Sequence, residues 1–179
     1  MHRDLAWEAS IESWEWVLGV DLWGPIYGVH AFVPRMIASG EPGHVVNTAS
    51  TAGVVAFPGI ASYDVAKQGV VALSEVLLAD AMAEKLPIRV SVLCPGVVRT
   101  KIGVSERNRP GGVKGDAFGE EGLITATEAI EPEAVAQAVL RAINDGTFWI
   151  MTHPRYVDLV KTRAEGMLTG AMPPIPHPI

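Results

Sequence analysis

The sequence predicts an α/β protein with a doubly wound parallel sheet that is incomplete, consisting of three strands with flanking helices. Segments with helical periodicity alternate along the chain with short apolar segments of strand length. Of the 179 residues, 49% are hydrophobic and 19% are charged, which is enough apolar surface for a substantial core. A helix between two strands carries the chain back to the end of the sheet at which the first strand began, so the strands should be parallel.

The first helical segment covers residues 10–39. Ser10 is a suitable N-cap, and Glu12 and Glu15 favour the first turn, where the helix dipole stabilises negative charge. We expect Pro25 to kink the helix midway, because proline has no N–H to donate to the preceding turn. The apolar residues exceed a single stripe, which predicts that more than one face is buried.

A short buried strand is predicted at residues 44–49, in the sequence HVVNTA. The second helix should follow at residues 61–84, and apolar side chains nearly encircle it. Such a helix needs cover on two sides. Residues 88–94, IRVSVLC, alternate in polarity and stop at Pro95 and Gly96, which predicts the second strand.

Residues 100–131 are rich in glycine and charge, which predicts a mobile loop long enough to serve as a lid. Pro132 then opens a third helix that should end near Asp145 and Gly146. The remaining predicted elements are a third strand at residues 147–152, a short helix at 154–167 and an extended proline-rich tail at 169–179. The first strand would have an unpaired edge if the chain stood alone.

Charge and composition exclude several classes of function. Fourteen Lys and Arg stand against twenty Asp and Glu, a formal charge of -6, so no basic surface for nucleic acid is expected. Apolar stretches are interrupted before they reach the length of a membrane span, and we expect a cytoplasmic protein that does not bind membranes. The single cysteine, Cys94, predicts neither an internal disulfide nor a metal site.

The most informative local pattern is Tyr63 and Lys67, because a spacing of four places both side chains on one face of a helix. A phenol ordinarily ionises near pH ~10, and a nearby ammonium favours the phenolate. We therefore expect Lys67 to lower the pKa of Tyr63, which would make Tyr63 a candidate general acid or base.

Other polar residues follow the predicted strands. Ser50 comes at the end of the first strand, and the second strand is followed by Pro95, Gly96, Val98 and Thr100. Taken singly, Ser50 and Thr100 would fit caps of turns, and Pro95 with Gly96 would fit a strand terminator. Both strand ends should lie at one rim of the sheet, where open α/β sheets bind their ligands.

The segments VNTAS, SYDVAK and PGVVRT, in this order and spacing, resemble the catalytic segments of the short-chain dehydrogenase/reductase family. The preceding helix, WEWVLGVDLWGPIYGVHAFVPRM, resembles the helix that this family places before its catalytic strand, and the likeness runs from Trp7 to Pro154. The resemblance implies a Rossmann-like fold. Residues 1–168 would then be the C-terminal part of a Rossmann domain, and residues 169–179 its tail.

This resemblance also implies roles for the site residues. Tyr63 would exchange a proton with an alcohol or carbonyl substrate while NAD or NADP carries the hydride. Lys67 would also hold the nicotinamide ribose, Tyr63 would take part in cofactor binding beside it, and Ser50 would donate a hydrogen bond to the substrate oxygen. The residues that would grip the nicotinamide end of the cofactor are Pro95, Gly96, Val98 and Thr100.

The sequence departs from the family pattern in two places. Asp21 stands where the family commonly has an asparagine of a proton relay, so it is either a catalytic residue that retunes the relay or only a helix residue, because a carboxylate cannot donate as an amide does unless it is protonated. The TGxxxGxG turn that holds the pyrophosphate, and the later NNAG, do not occur in this sequence. We expect the chain to be a downstream part of a longer protein, the product of a late start codon, or a true truncation.

Two functions from different classes remain open. The first is an oxidoreductase that interconverts an alcohol and a carbonyl and is active only with its N-terminal half present, and the second is a non-catalytic remnant that acts as an oligomerisation or interaction module. In both cases we expect a homo-oligomer formed through the helices at 11–38 and 61–84, which the family often uses as its subunit interface. A serine hydrolase is a distant third, because no GxSxG motif surrounds Ser50.

Overall fold

The computed structural model describes residues 5–111 and 128–176 of the chain. Helices and strands alternate, as the sequence predicts. The main elements are α1 (Ile11–Asp21), α2 (Trp23–Ser39), β1 (Gly43–Thr48), α3 (Ala61–Ala83), β2 (Ile88–Cys94), α4 (Pro132–Asp145), β3 (Trp149–Met151) and α5 (Arg155–Thr169). Two short 3₁₀ segments, at Thr51–Gly53 and Lys101–Asn108, follow the first two strands.

The three strands form one parallel sheet in the order β1-β2-β3, which confirms the predicted fold class. Thr48 pairs with Leu93, and Cys94 pairs with Met151, so the three carboxyl ends lie at the same edge. Within the described residues β1 pairs with β2 alone, and its other edge is open. The polar residues that follow β1 and β2 are thereby brought together.

Helices cover both faces of the sheet. On β2, Val90 and Val92 pack towards α3, whereas Leu93 packs with Ala142 of α4 on the opposite face. Helix α1 packs against α3. At the carboxyl edge, Tyr156 of α5 packs against the segment between Ser50 and Tyr63.

The first helical segment breaks at a different residue from the one predicted. Helices α1 and α2 are separated at Leu22, whose φ is -119°, and Pro25 lies in the first turn of α2. A proline costs little there, because first-turn N–H groups have no acceptor within the helix. The expected kink at Pro25 is therefore wrong, and the actual break leaves Asp21 at the end of α1 beside α3.

Among the described residues, nothing covers the second face of either long helix, α2 or α3. Trp23, Tyr27 and Phe32 of α2 are 49%, 63% and 62% exposed, and Met82 of α3 is 71% exposed. Burial of these faces would therefore require a partner, and the homo-oligomer stays a prediction. None of the described helices is long and apolar enough to cross a membrane.

The remaining boundaries differ modestly from expectation. Strand β3 is shorter than the predicted 147–152, and α5 ends two residues later than predicted. Gly146 ends α4 with a φ of +71°, which confirms the predicted stop. Part of the predicted loop forms the 3₁₀ segment Lys101–Asn108, while 112–127 lie outside the described residues. Residues 171–176 of the tail form neither helix nor strand.

Candidate active site

A pocket of about 340 Å³ opens at the carboxyl edge of the sheet. Side chains from α1, β1, α3, β2 and α4 contribute to its wall. All eight site residues expected from the sequence lie in this wall, namely Asp21, Ser50, Tyr63, Lys67, Pro95, Gly96, Val98 and Thr100. The arrangement of strands and helices is what gathers them, because they come from four separate stretches of the chain.

Lys67 is the central charge of the pocket. Its side chain is only 9% exposed, and its Nζ lies 3.0 Å from Oδ1 of Asp21 and 3.3 Å from the carbonyl oxygen of Thr48. The same Nζ lies 5.5 Å from the centroid of the Tyr63 ring. The predicted pairing of Tyr63 and Lys67 on one face of α3 is thus present, with Asp21 as an additional partner of the ammonium.

Ser50 links the two strand ends. It has an extended backbone, with φ -169° and ψ 170°, and its Oγ accepts a hydrogen bond from the Ala52 N–H at 3.2 Å. The hydroxyl lies 3.4 Å from the Pro95 carbonyl oxygen and is also hydrogen-bonded to Tyr63. Ser50 therefore caps a 3₁₀ segment and at the same time holds its hydroxyl beside the Tyr63 phenol.

Burial raises the pKa of Tyr63 to about 12. The hydrogen bond with Ser50 acts in the opposite direction, and the carboxylates of Asp21 and Asp64 add to the increase. The pKa of Tyr63 is therefore raised and not lowered as expected, because burial dominates and the Lys67 ammonium lies 3.0 Å from the Asp21 carboxylate. Tyr63 is consequently a neutral phenol at physiological pH and is suited to donate a proton.

The turn after β2 forms the opposite wall of the pocket. The Pro95 carbonyl oxygen accepts from the Thr51 N–H at 2.9 Å, which ties the two strand ends together. Val98 forms an isolated parallel bridge with Ile130, so its own N–H and C=O point away from Ile130. The Thr100 Oγ1 lies 3.4 Å from the Ile102 nitrogen, a capping contact at the start of the second 3₁₀ segment.

Comparison with known proteins decides the family. The family model described as short chain dehydrogenase matches residues 2–111, which is more than half of the chain. The chain belongs to the short chain dehydrogenase family. The match contains the segments around Ser50, Tyr63 and Gly96 and therefore confirms the resemblance on which the site was predicted.

Curated dehydrogenases are similar over nearly the whole chain. It is 30% identical to the CLA biosynthesis dehydrogenase/reductase of Lactiplantibacillus plantarum, covering 94% of this chain and 63% of that protein. It is also 30% identical to the C alpha-dehydrogenase of Sphingobium sp. (strain NBRC 103272 / SYK-6), covering 93% of this chain and 56% of the relative. The chain thus spans about three fifths of the length of these relatives.

A solved structure is also similar over nearly the whole chain. A short chain dehydrogenase/reductase from Burkholderia phymatum, in complex with NAD, superposes with a TM-score of 0.88 and 31% identity. That superposition covers 98% of this chain and 66% of the other. The incomplete sheet therefore corresponds to part of a larger fold of the short chain dehydrogenase family.

Two polar residues near the pocket were not singled out from the sequence. His153, which follows β3, is 6% exposed and hydrogen-bonded to the turn after β2. Asp64 is 5% exposed, its Oδ2 accepts from the Phe57 N–H at 2.8 Å, and its Oδ1 is buried without a hydrogen-bond partner. The sequence offered one indication for Asp64, namely that it is a charged residue next to Tyr63. It offered none for His153, because the contacts of His153 depend on tertiary packing.

Burial raises the pKa of Asp64 to about 7, although the Phe57 N–H acts in the opposite direction. Because a carboxyl group has a pKa near 4 in the unfolded chain, the folded chain binds the additional proton between about pH 4 and pH 7. Stability contributed by this group is therefore complete at low pH and is lost as the pH rises through 7.

We expect Asp64→Asn to remove this pH dependence, because the amide oxygen still accepts from Phe57 and does not titrate. In the wild-type chain the contribution of Asp64 should fall by up to about 1.4 kcal/mol per pH unit over that range. Urea unfolding from pH 4 to pH 8 measures the difference between the two chains. A constant difference across this range would contradict the assignment, and Asp158→Asn on the exposed face of α5 serves as the control.

Proposed function

We propose that this chain carries the catalytic half of a nicotinamide-dependent oxidoreductase that interconverts an alcohol and a carbonyl compound. The observation that supports this function is the convergence of Tyr63, Lys67 and Ser50 on one pocket, in a member of the short chain dehydrogenase family. A phenol and a hydroxyl that share a hydrogen bond beside a buried ammonium form a site for proton exchange with a substrate oxygen.

The pocket fits the nicotinamide end of NAD or NADP. The wall that Pro95, Gly96 and Val98 form offers an apolar surface to a flat ring, and the Val98 N–H and C=O match the acceptor and donor of a carboxamide. The Lys67 ammonium, which lines the pocket, would bind ribose hydroxyls. The TGxxxGxG segment that would hold the pyrophosphate does not occur in the sequence, so the contacts proposed for this pocket are those of the nicotinamide end of the cofactor.

Each side chain has a distinct task in this proposal. A bound nicotinamide would supply or accept the hydride. Tyr63, protonated at physiological pH, donates its proton to the carbonyl oxygen during reduction. Ser50 donates a hydrogen bond to the same oxygen as negative charge develops there. The Lys67 ammonium is itself held in position by Asp21 and by the carbonyl oxygen of Thr48.

The pocket chemistry favours an uncharged, apolar substrate. Asp21 and Lys67 are the charged residues among the described lining residues, and they pair with each other at 3.0 Å. Ile60, Ile102 and Val135 add apolar surface away from the sheet edge. A substrate carboxylate would enter without a free cation to pair with, at a considerable desolvation cost. We expect an aliphatic ketone to be a better substrate than the keto acid of the same chain length.

Deuterium transfer tests the proposed reaction. The chain is incubated with an aliphatic ketone and NADH that carries deuterium at its hydride-donating carbon, and the alcohol is analysed by mass spectrometry. The proposal predicts that the alcohol gains one deuterium and that Tyr63→Phe suppresses its formation. Alcohol formation without deuterium, or equal formation by Tyr63→Phe, would refute it.

Asp21→Asn should lower the pKa of Tyr63, because it removes one of the carboxylates that raise this pKa and restores the residue common in the family. We expect a decrease on the order of half a pH unit. Tyrosinate absorbance, taken as the difference from a chain that also carries Tyr63→Phe, measures it without any need for turnover. Alcohol oxidation, which needs the phenolate, should begin at correspondingly lower pH.

Asp158→Asn is the matched control, because Asp158 pairs with Lys161 on the exposed face of α5. Its tyrosinate titration should equal that of the wild type. An unchanged or increased pKa of Tyr63 in Asp21→Asn would contradict the proposed influence of Asp21.

The alternative function is a non-catalytic module that self-associates through its apolar helix faces. The exposed side chains of Trp23, Tyr27 and Phe32 on α2 favour an interaction surface that a second copy could cover. Association by itself is compatible with both functions, since we also propose that the oxidoreductase is a homo-oligomer. NADH binding separates them: calorimetric binding of NADH would exclude the purely structural module, and sedimentation analysis would report the assembly independently.

A further inference from the structure

The peptide group between Pro95 and Gly96 is held at both of its ends. Its carbonyl oxygen accepts from the Thr51 N–H at 2.9 Å and lies 3.4 Å from the Ser50 Oγ. Its N–H, which belongs to Gly96, donates to Nδ1 of His153 at 3.0 Å. This peptide forms part of the pocket wall, so His153 controls the orientation of one wall from outside the pocket.

His153 meets the turn through both ring nitrogens. While Nδ1 accepts from the Gly96 N–H, Nε2 lies 3.1 Å from the Val97 carbonyl oxygen. A backbone N–H can only donate and a carbonyl can only accept, so the ring is neutral and carries its proton on Nε2. The Thr152 hydroxyl lies 2.8 Å from Nδ1 and shares the single lone pair of this nitrogen with the Gly96 N–H.

The ring of His153 also fits against the turn without space to spare. A Cβ at Gly96 would lie 2.8 Å from Cγ of His153 and 2.8 Å from Cε2 of Tyr156, closer than carbon atoms approach. Tyr156 is 2% exposed and contacts His153 edge-on at 6.1 Å between ring centroids. The glycine therefore permits the close approach that the two hydrogen bonds require, and Tyr156 supports the ring from behind.

We propose that His153 is a positioning residue that fixes the Pro95–Gly96 peptide and the Val97 carbonyl at the wall of the pocket. The inference rests on the proposed function in one respect, since its effect on a cofactor presupposes that the nicotinamide binds against this wall. His153 lies outside residues 2–111, the range that the family model matches. The segment between β3 and α5 thus belongs to the site although it carries none of the family's catalytic motifs.

Amide exchange measures the positioning role without cofactor. His153→Phe keeps an aromatic ring and removes both hydrogen bonds, whereas His153→Asn keeps an acceptor near the position of Nδ1. The exchange rate of the Gly96 amide is divided by that of Val92, whose N–H donates to Phe148 within the sheet, so that changes in global stability cancel.

We expect this ratio to rise about tenfold in His153→Phe, as the loss of roughly one hydrogen bond implies, and to return towards the wild-type value in His153→Asn. His44→Phe removes a comparable histidine contact, with Ser91 at 2.7 Å, near the opposite end of the sheet and should leave the ratio unchanged. An unchanged ratio in His153→Phe would overturn the inference.

Binding of NADH and of ADP-ribose, which lacks the nicotinamide, completes the test. His153→Phe should weaken NADH about tenfold and leave ADP-ribose unaffected. If His153→Phe raised the exchange ratio but bound NADH as tightly as the wild type, the proposed effect of His153 on cofactor binding would be overturned. If the wild-type chain bound no NADH, the proposed function would fail, and the exchange ratio alone would still decide whether His153 positions the turn.

Discussion

Tyr63→Phe is expected to reduce turnover by about 10²- to 10⁴-fold, the usual contribution of a positioned general acid. The substitution removes the hydroxyl and keeps the ring, which packs beside the apolar cluster at Phe57 and Ile60. Cofactor affinity should therefore change little while the rate of alcohol formation collapses. Steady-state kinetics with NADH and a ketone, together with calorimetric NADH binding, measure the two quantities separately.

Tyr27→Phe provides the control for this prediction. Tyr27 is 63% exposed on α2, away from the pocket lining, and its variant should retain wild-type turnover. Turnover by Tyr63→Phe within a factor of about three of the wild type would be far too high for a lost general acid and would remove Tyr63 from the mechanism.

Lys67→Ala should have the second largest effect, a loss of turnover of about 10²-fold or more, comparable to the loss of a positioned electrostatic donor. The substitution deletes the ammonium that pairs with Asp21 and leaves this carboxylate unpaired beside Tyr63. Because both carboxylate charge and burial oppose ionisation of the phenol, the pKa of Tyr63 should not fall in this variant. NADH affinity should decrease as well, which distinguishes this variant from Tyr63→Phe.

Lys67→Ala should also lower the free energy of unfolding. The decrease should be smaller than the value of about 3–5 kcal/mol that is typical of breaking a fully buried ion pair, because the Asp21 side chain is 30% exposed. Lys161→Ala is the matched control, because Lys161 forms an exposed pair with Asp158. Equal turnover and equal NADH affinity in Lys67→Ala and wild type would refute the assigned role.

The order of elements was predictable because several boundaries have a local chemical cause. Pro132 opens α4 at its first position, and Gly146 closes it with a positive φ. The alternation of polarity in residues 88–94 predicted β2 to the residue, since one face meets α3 and the other α4. The parallel sheet then followed from the alternation of strands and helices.

The break between α1 and α2 was not predictable from local preference. Proline at position 25 was the helix-breaking residue nearest the middle of the segment, yet the chain turns at Leu22. The Leu22 side chain packs so closely on α3 that a Cβ at Gly69 would lie 2.8 Å from it. Tertiary packing thus decided the position of the break, and no sequence pattern indicated it.

The eight residues expected from the sequence line one pocket and their roles stay a prediction, whereas the direction of the Tyr63 pKa was predicted wrongly. Motif spacing identified eight residues that line one pocket. The direction of the Tyr63 pKa required knowledge of burial and of Asp21, which approaches Lys67 only because α1 ends beside α3. His153 contacts a turn 56 residues earlier in the chain, a relation that only the folded sheet creates.

Saturation-transfer NMR with NADH tests most directly whether the nicotinamide binds in the pocket beside Tyr63. The protein is saturated, and the magnetisation received by the nicotinamide protons is compared with that received by the adenine protons. We predict stronger transfer to the nicotinamide, reduced in His153→Phe, because the pocket contacts that end of the molecule. Transfer to the adenine alone, or none to either ring, would contradict the assignment of this pocket to the nicotinamide.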